Sequence, residues 1–402
     1  MQENRTLNNL FMGYPGATTQ SFGYLSTGQK VALGSAGLES HMALQYNLSA
    51  FLTQCNGTGS IPGTNCRMNG FDKVPWTCGQ GGCPVPYPPY SYVPRSEIKP
   101  YWEMAKQYVL ADQMYASHLD ESSFISHQYI IAAQAMSAYN YPTTKYWGCE
   151  GPPGNAVYIL GPNRQFPHGS EVPCFNDTSL GQEADAAGVT WASYSVPVGI
   201  RYGGAGWNGY QANNYVYNGP DWSTDYFTPP SQFLTDVGNG SLRQITWITP
   251  TLADSDHLGS RSKTGPMWVA SLVNAIGQSK FWDTTAIFIM WDDPGGLYDP
   301  APPPYVDYDG LGMRLPLLII SPYAKKGYVS HVQYEHGSIL KFAEDVFGLG
   351  RLAASDSRAN SPAKDCFDFN QSPRKFKLIS SSLGKEYFIR RAPDLRAPDI
   401  DM

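Results

Sequence analysis

Apolar, β-branched runs recur along the second half of the chain, with helical patterns between them. VTWASYSV (189–196), QITWIT (244–249), TTAIFIMW (284–291) and LPLLIIS (315–321) read as strands buried on both faces. Between them, GPMWVASLVNAIGQS (265–279) opens on Gly-Pro and reads as a helix. HGSILKFAEDVFGLG (336–350) puts Ile339, Phe342, Ala343, Val346 and Phe347 on one stripe, so an amphipathic helix ended by glycine is expected. Strands of this kind alternating with helices predict an α/β fold, a mostly parallel sheet flanked by helices.

Two stretches break the pattern. Residues 52–98 hold four cysteines and CPVPYPPYSYVP, and residues 203–230 are a Gly-, Asn- and aromatic-rich loop. Neither carries enough periodic apolar sequence for a core of its own, so both are expected to be insertions in one domain spanning 1–352. The polar tail, 353–402, is expected to pack on the same domain. With 402 residues, 42% hydrophobic and 15% charged, the chain can bury a large core. A net charge of −6 offers no basic surface for nucleic acid, and no apolar run reaches the roughly 20 residues of a membrane span.

The seven cysteines fall as three near pairs, Cys55 and Cys66, Cys78 and Cys83, Cys149 and Cys174, with Cys366 apart. Three local disulfides and a spare thiol point to an oxidising compartment, hence a secreted or periplasmic protein. The alternative is that several are buried thiols. No Cys-x-x-Cys or His-x-x-x-His spacing offers a zinc site.

Chemistry concentrates in three places. Asp292 and Asp293 directly follow a predicted buried strand, at the end where open α/β sheets bind ligands. Two carboxylates so close repel unless a cation or several donors lie between them, although a capped turn beside a solvated acid is equally compatible. Glu3 and Asn4 offer a carboxylate and an amide oxygen side by side, a set suited to hard or borderline divalent metals, or else a helix entry. Ser122 and Ser123 lead a helical pattern, with His127 one turn beyond Ser123 on the same face. Such a serine is an N-cap or, where a metal activates it, a phosphoryl acceptor. His257 and His41 each sit beside a predicted helix and could bind phosphate or protonate a leaving group.

Together, QENRTLNNLF, YPGATT, NGFDK, SSFISHQYIIAAQ, WGCEGPP, SDHLGSRSKTGPMWVASLVNAIG, TAIFIMWDDPGGLYD, LPLLIISPYAKKGYVSHVQYEHGSILKFAED and DCFDF resemble the phosphoesterase family, from residue 1 to about 373. That family comprises bacterial phospholipases C and related acid phosphatases on an alkaline-phosphatase-like α/β core. The resemblance implies a phosphoric-ester hydrolase holding one divalent metal through Glu3, Asn4, Asp292, Asp293 and Ser123. It places the nucleophile, which becomes a phosphoserine, at Ser123, and phosphate-binding and proton-transfer roles at His257 and His41. His127 and His336 are expected to bind substrate. The substrate is a small phosphate ester or a phospholipid head group, with a phosphatidylcholine-type phospholipase C as one version. A binding protein for glycans or surfaces on the same fold is the reading of another class.

The chain departs from the family at three points. The hydrophobic strand that usually precedes QENR is missing before Met1, so either the start is truncated or another segment fills the sheet. Pro300 stands where the family often has histidine. No accessory module follows the core, which points away from membrane lipids as the main substrate.

Overall fold

The computed structural model describes residues 1–144, 146–198 and 208–396. Its first half supplies α1 (Leu7–Phe11), α2 (Lys99–Gln107), β1 (Val109–Tyr115), α3 (Ser123–Ala132) and β2 (Trp191–Tyr194). Then follow β3 (Tyr226–Phe227), β4 (Ile245–Ile248), α4 (Gly265–Gly277), β5 (Ile287–Met290), β6 (Arg314–Ile320), β7 (Tyr328–Ser330), β8 (Tyr334–Glu335) and α5 (His336–Phe347).

The architecture is α/β, but the sheet comes in two pieces rather than one. One piece runs in the order β5-β6-β1-β7, with β8 also pairing β1; the other runs β3-β2-β4. β6 is antiparallel to β5 and to β1, while β7 and β8 are parallel to β1, so every strand of the larger piece except β6 points the same way. The smaller piece is wholly parallel. β1 and β6 are the inner strands, and Leu110, Ala111 and Leu317 to Ile320 are fully buried in the main core with Trp268 of α4 and Ile130 of α3. Because the parallel strands share a direction, their carboxyl ends open on one edge, and the segments leaving that edge carry the chemistry.

The loop read from 203 to 230 contains a strand: β3 pairs with β2, and residues 203–207 lie outside the described residues. Among its described aromatic side chains, Trp222 and Tyr226 stack with ring centroids 4.3 Å apart. The segment 52–98 packs Phe71 and Tyr90 against Tyr298 in a satellite cluster. The three disulfides join Cys55–Cys66, Cys78–Cys83 and Cys149–Cys174, and Cys366 is a buried thiol. In the tail, Phe388 packs on Trp268 and Phe367 bridges to Ala324.

Two buried carboxylates show how charge is handled. Asp299 accepts from Arg314 Nε at 2.9 Å, both groups fully buried, and Arg314 Nη1 also donates to the Asp112 carbonyl. Arg314→Met strands that carboxylate, and urea unfolding is expected to show a loss of about 3–5 kcal/mol, partly restored by adding Asp299→Asn. Asp177 is different. Its carboxyl oxygens have no hydrogen-bond partner, and burial, aided by Glu171, pushes its pKa up to about 7. A carboxyl whose folded pKa is raised favours folding at low pH, and that contribution is lost as pH climbs from its unfolded value through about 7. Asp177→Asn is therefore expected to stabilise the protein by on the order of 2–4 kcal/mol at pH 8 and to be neutral near pH 4, measured by unfolding at both pH values.

Candidate active site

β5 ends at Met290, and the next residues carry the two acids in opposite directions. Residue 2 extends the strand edge: Gln2 bridges Trp291 in parallel, with Gln2 N donating to Met290 O and Asp292 N to Gln2 O. This pairing sets Glu3 and Asn4 beside Asp292 and Asp293, which lie nearly three hundred residues away in sequence. Asn4 N donates to Asp292 Oδ1 at 3.0 Å, and Asn4 Nδ2 to Asp293 Oδ1 at 3.1 Å. Asn4 adopts φ +58°, a left-handed conformation that asparagine tolerates better than most residues. Gly295 completes the turn. Its N donates to Asp293 Oδ1 at 2.7 Å, and a Cβ there would stand 2.6 Å from that of Asn4 at φ +60°, so only glycine fits.

Asp292 turns one way. Its Oδ2 lies 3.5 Å from His127 Nε2, which is also 3.5 Å from Glu3 Oε1, and the three side chains are essentially fully buried. Burial alone would raise the Asp292 pKa, but contacts with His127, Glu3 and the Asn4 amide override it and hold the carboxyl well below its usual range. A separation of 3.5 Å is longer than a good hydrogen bond, and ligand atoms from Glu3, His127 and Asp292 all lie within 4.8 Å of one another. Asn4 Oδ1 is buried beside them with no hydrogen-bond partner. Two carboxylates, an imidazole and an unsatisfied amide oxygen form a donor set that fits a divalent cation.

Asp293 turns the other way, to α3. Ser122 is the helix N-cap, yet its hydroxyl turns back to Asp120 Oδ2 at 2.9 Å. Ser123, the first helical residue, is thereby freed from capping. Its Oγ donates to Asp293 Oδ2 at 2.7 Å, and its N donates to Tyr141 Oη at 3.2 Å. α3 is buried along its whole length, so one rigid helix fixes both Ser123 and His127.

His257 follows β4 and is nearly buried. Its Nδ1 hydrogen-bonds the Leu258 carbonyl, which leaves the Nε2 lone pair to accept from Tyr46 Oη at 3.0 Å. Tyr46 meets Tyr141 edge-on, and Tyr141 packs on Trp147, which also touches His127. An aromatic wall therefore links His257 to Ser123.

The structure thus brings together Glu3, Asn4, Ser123, His127, Asp292 and Asp293, with His257 at one remove. Three of the expected histidines have surroundings that the sequence did not show. His127 lies buried beside Glu3 and Asp292. His336, expected to bind substrate, is buried at the start of α5, and its Nε2 donates to the Trp291 carbonyl at 3.2 Å. Burial lowers its pKa to about 4, so it is a neutral brace behind the strand end. His41 is exposed on the rim, with Nε2 2.8 Å from Arg261 Nη2, and none of its hydrogen bonds leads to Ser123. Sequence reasoning missed Tyr46, Tyr141 and Trp147, for which no local pattern gave a signal, and Asp120, whose spacing two residues before Ser122 suits an Asx turn.

Residues 1–350 match the Phosphoesterase family. The chain is 25% identical over 310 residues to the non-hemolytic phospholipase C of Burkholderia pseudomallei, an overlap of 64% of this chain and 41% of that protein. It is 29% identical over 147 residues to phospholipase C B of Mycobacterium tuberculosis, 30% of this chain and 28% of that one. Among solved structures, the phosphonate monoester hydrolase SpPMH from Silicibacter pomeroyi aligns at a TM-score of 0.37 with 12% identity, over 70% of this chain and 73% of that one. The chain spans less than half the length of the two curated relatives.

Proposed function

This chain belongs to the Phosphoesterase family, and we propose from that premise that it hydrolyses phosphoric esters with Ser123 as the nucleophile. The observation that carries the reading is the 2.7 Å hydrogen bond from Ser123 Oγ to Asp293 Oδ2, at a helix start beside the buried cluster of Glu3, His127 and Asp292. In the first step Ser123 Oγ bonds to phosphorus while Asp293 accepts its proton, and the ester P–O bond breaks in line. His257, once it takes up a proton at Nε2 in place of the hydrogen bond from Tyr46, is placed to steady a phosphate oxygen or pass that proton to the departing alkoxide. Water then attacks phosphorus, and Oγ departs with the proton held by Asp293.

Glu3, Asn4, Asp292 and His127, with Asp293 and Ser123 at the border, would hold one divalent cation. Such an ion supplies positive charge that offsets the phosphate's and lowers the pKa of a neighbouring hydroxyl. Phospholipase C action on a choline-type head group is the second reading, favoured by the Tyr46, Tyr141 and Trp147 wall, whose faces suit a quaternary ammonium. A purely glycan- or surface-binding role leaves the Ser123–Asp293 contact and the acidic cluster without purpose. Three disulfides fit a secreted or periplasmic setting, and no helix among the described residues is long and apolar enough to cross a membrane.

The test is hydrolysis of p-nitrophenyl phosphate and of p-nitrophenylphosphorylcholine, before and after chelation. Chelation is expected to cost at least about a hundredfold in rate, recovered on adding back a divalent metal. Full activity in verified metal-free protein would remove the cation from the proposal; no turnover of either ester or of phosphatidylcholine with metals supplied would remove the hydrolase.

A further inference from the structure

Two phenol hydroxyls stand on groups that the proposed chemistry uses. Ser123 N, at the first position of α3, donates to Tyr141 Oη at 3.2 Å. Oγ and N belong to one residue, so phosphorus bonded to Ser123 Oγ carries a non-bridging oxygen within reach of that amide, where a helix start favours negative charge. His257 Nε2 accepts from Tyr46 Oη at 3.0 Å. With Nδ1 engaged by the Leu258 carbonyl, Nε2 presents a lone pair, which attracts a phenol O–H and repels a phosphate oxygen. Both groups are thus turned to tyrosine rather than to an anion.

The two tyrosines are joined as one unit. Their rings meet edge to face with centroids 6.4 Å apart, and the segments that carry them are tied beside each ring, where Leu48 N donates to Asn140 Oδ1 at 3.1 Å. Asn140 N in turn donates to Asp120 Oδ2, the carboxylate oxygen that also accepts from the Ser122 hydroxyl. Tyr46 is only 4% exposed while Tyr141 is half-buried, so Tyr141 is the member nearer solvent.

We infer that the Tyr46–Tyr141 pair is a displaceable latch: its hydroxyls take the hydrogen bonds that a phosphate group would otherwise make, and substrate exchanges them for two phosphate oxygens. On that exchange His257 Nε2 takes a proton from solvent. The latch rests on the roles proposed above for Ser123 and His257. Breaking two protein hydrogen bonds offsets part of the affinity for the anion, so product phosphate is held less tightly and leaves sooner. The opposite arrangement, phenols that stay and hold the phosphate themselves, would make Tyr141 Oη and the anion share the single N–H of Ser123.

The test is the affinity for inorganic phosphate, by calorimetry, of the unaltered chain, Tyr46→Phe, Tyr141→Phe and the double variant, each supplied with divalent metal. Phenylalanine keeps the ring and drops the competing hydroxyl, so each single variant is expected to bind about three- to tenfold more tightly, and the double variant more tightly still. KM for p-nitrophenyl phosphate is expected to fall in the same order. Unchanged binding, weaker binding, or no binding by any of the four chains would overturn the latch. Disturbed packing weakens binding or leaves it alone, so the sign separates the latch from a structural role. Calorimetry needs no turnover: absence of hydrolysis by the unaltered chain is the separate failure of the hydrolase reading, and tighter binding by the variants supports the latch in either case. If a variant does not fold, nitration of the unaltered chain by tetranitromethane, mapped by peptide mass, replaces it. Saturating phosphate is expected to raise labelling of Tyr46 and Tyr141, and equal or reduced labelling overturns the proposal.

Discussion

Ser123→Ala is expected to lower turnover of p-nitrophenyl phosphate and p-nitrophenylphosphorylcholine by about ten-thousand-fold or more, with melting temperature almost unchanged. The rate effect is large because removal of a nucleophile removes the reaction path, not a share of its stabilisation. The small structural effect follows from the contacts. Asp293 keeps its donors Asn4 Nδ2 and Gly295 N when Oγ is gone, and the helix start is held by Ser122 and Asp120. Retained activity on both esters, in protein freed of contaminating phosphatase, would show that another group attacks phosphorus.

The second large effect is expected at Asp292. Asp292→Asn keeps the volume and the hydrogen bond from Asn4 N but removes one of the two carboxylates that flank His127. Metal content per chain and hydrolysis rate are expected to fall together, the rate by about a thousandfold. Metal-free protein is expected to lose stability on this change, because contacts with His127, Glu3 and the Asn4 amide favour the Asp292 carboxylate. Elemental analysis beside unfolding curves separates the cases: full metal stoichiometry and full rate in the variant would mean that Asp292 holds no ion.

Strands β2, β4, β5 and β6 and helices α4 and α5 were legible in the sequence because apolar periodicity reports burial. β1, the strand at the middle of the larger sheet, was not. Its VLADQMY carries Asp112 and Gln113, and Asp112 is buried only because Thr18 N and His331 supply partners from distant segments. Periodicity also promised more burial than α5 and β5 receive, since a cleft beside them withholds a packing partner. In the site, the acid doublet and the serine-led helix were readable as local patterns, and the i, i+4 spacing put His127 on the face of Ser123. Which way a histidine ring points is a tertiary fact, so the surroundings of His41, His127 and His336 were not legible in the sequence. The tyrosines of the aromatic wall are two among 27 in the chain, and nothing local sets them apart.

The contacts from Asn4 to Asp292 and Asp293 span almost the whole phosphoesterase region. During synthesis Asn4 leaves the ribosome long before Asp292 and Asp293 exist. On the proposed assignment, a nascent chain that stops short of Asp292 holds half of the site and is expected to hydrolyse nothing. Loop closure over such a distance is slow, so the last event of folding and the onset of activity should coincide, and refolding followed by enzyme assay would trace the docking of the amino terminus directly.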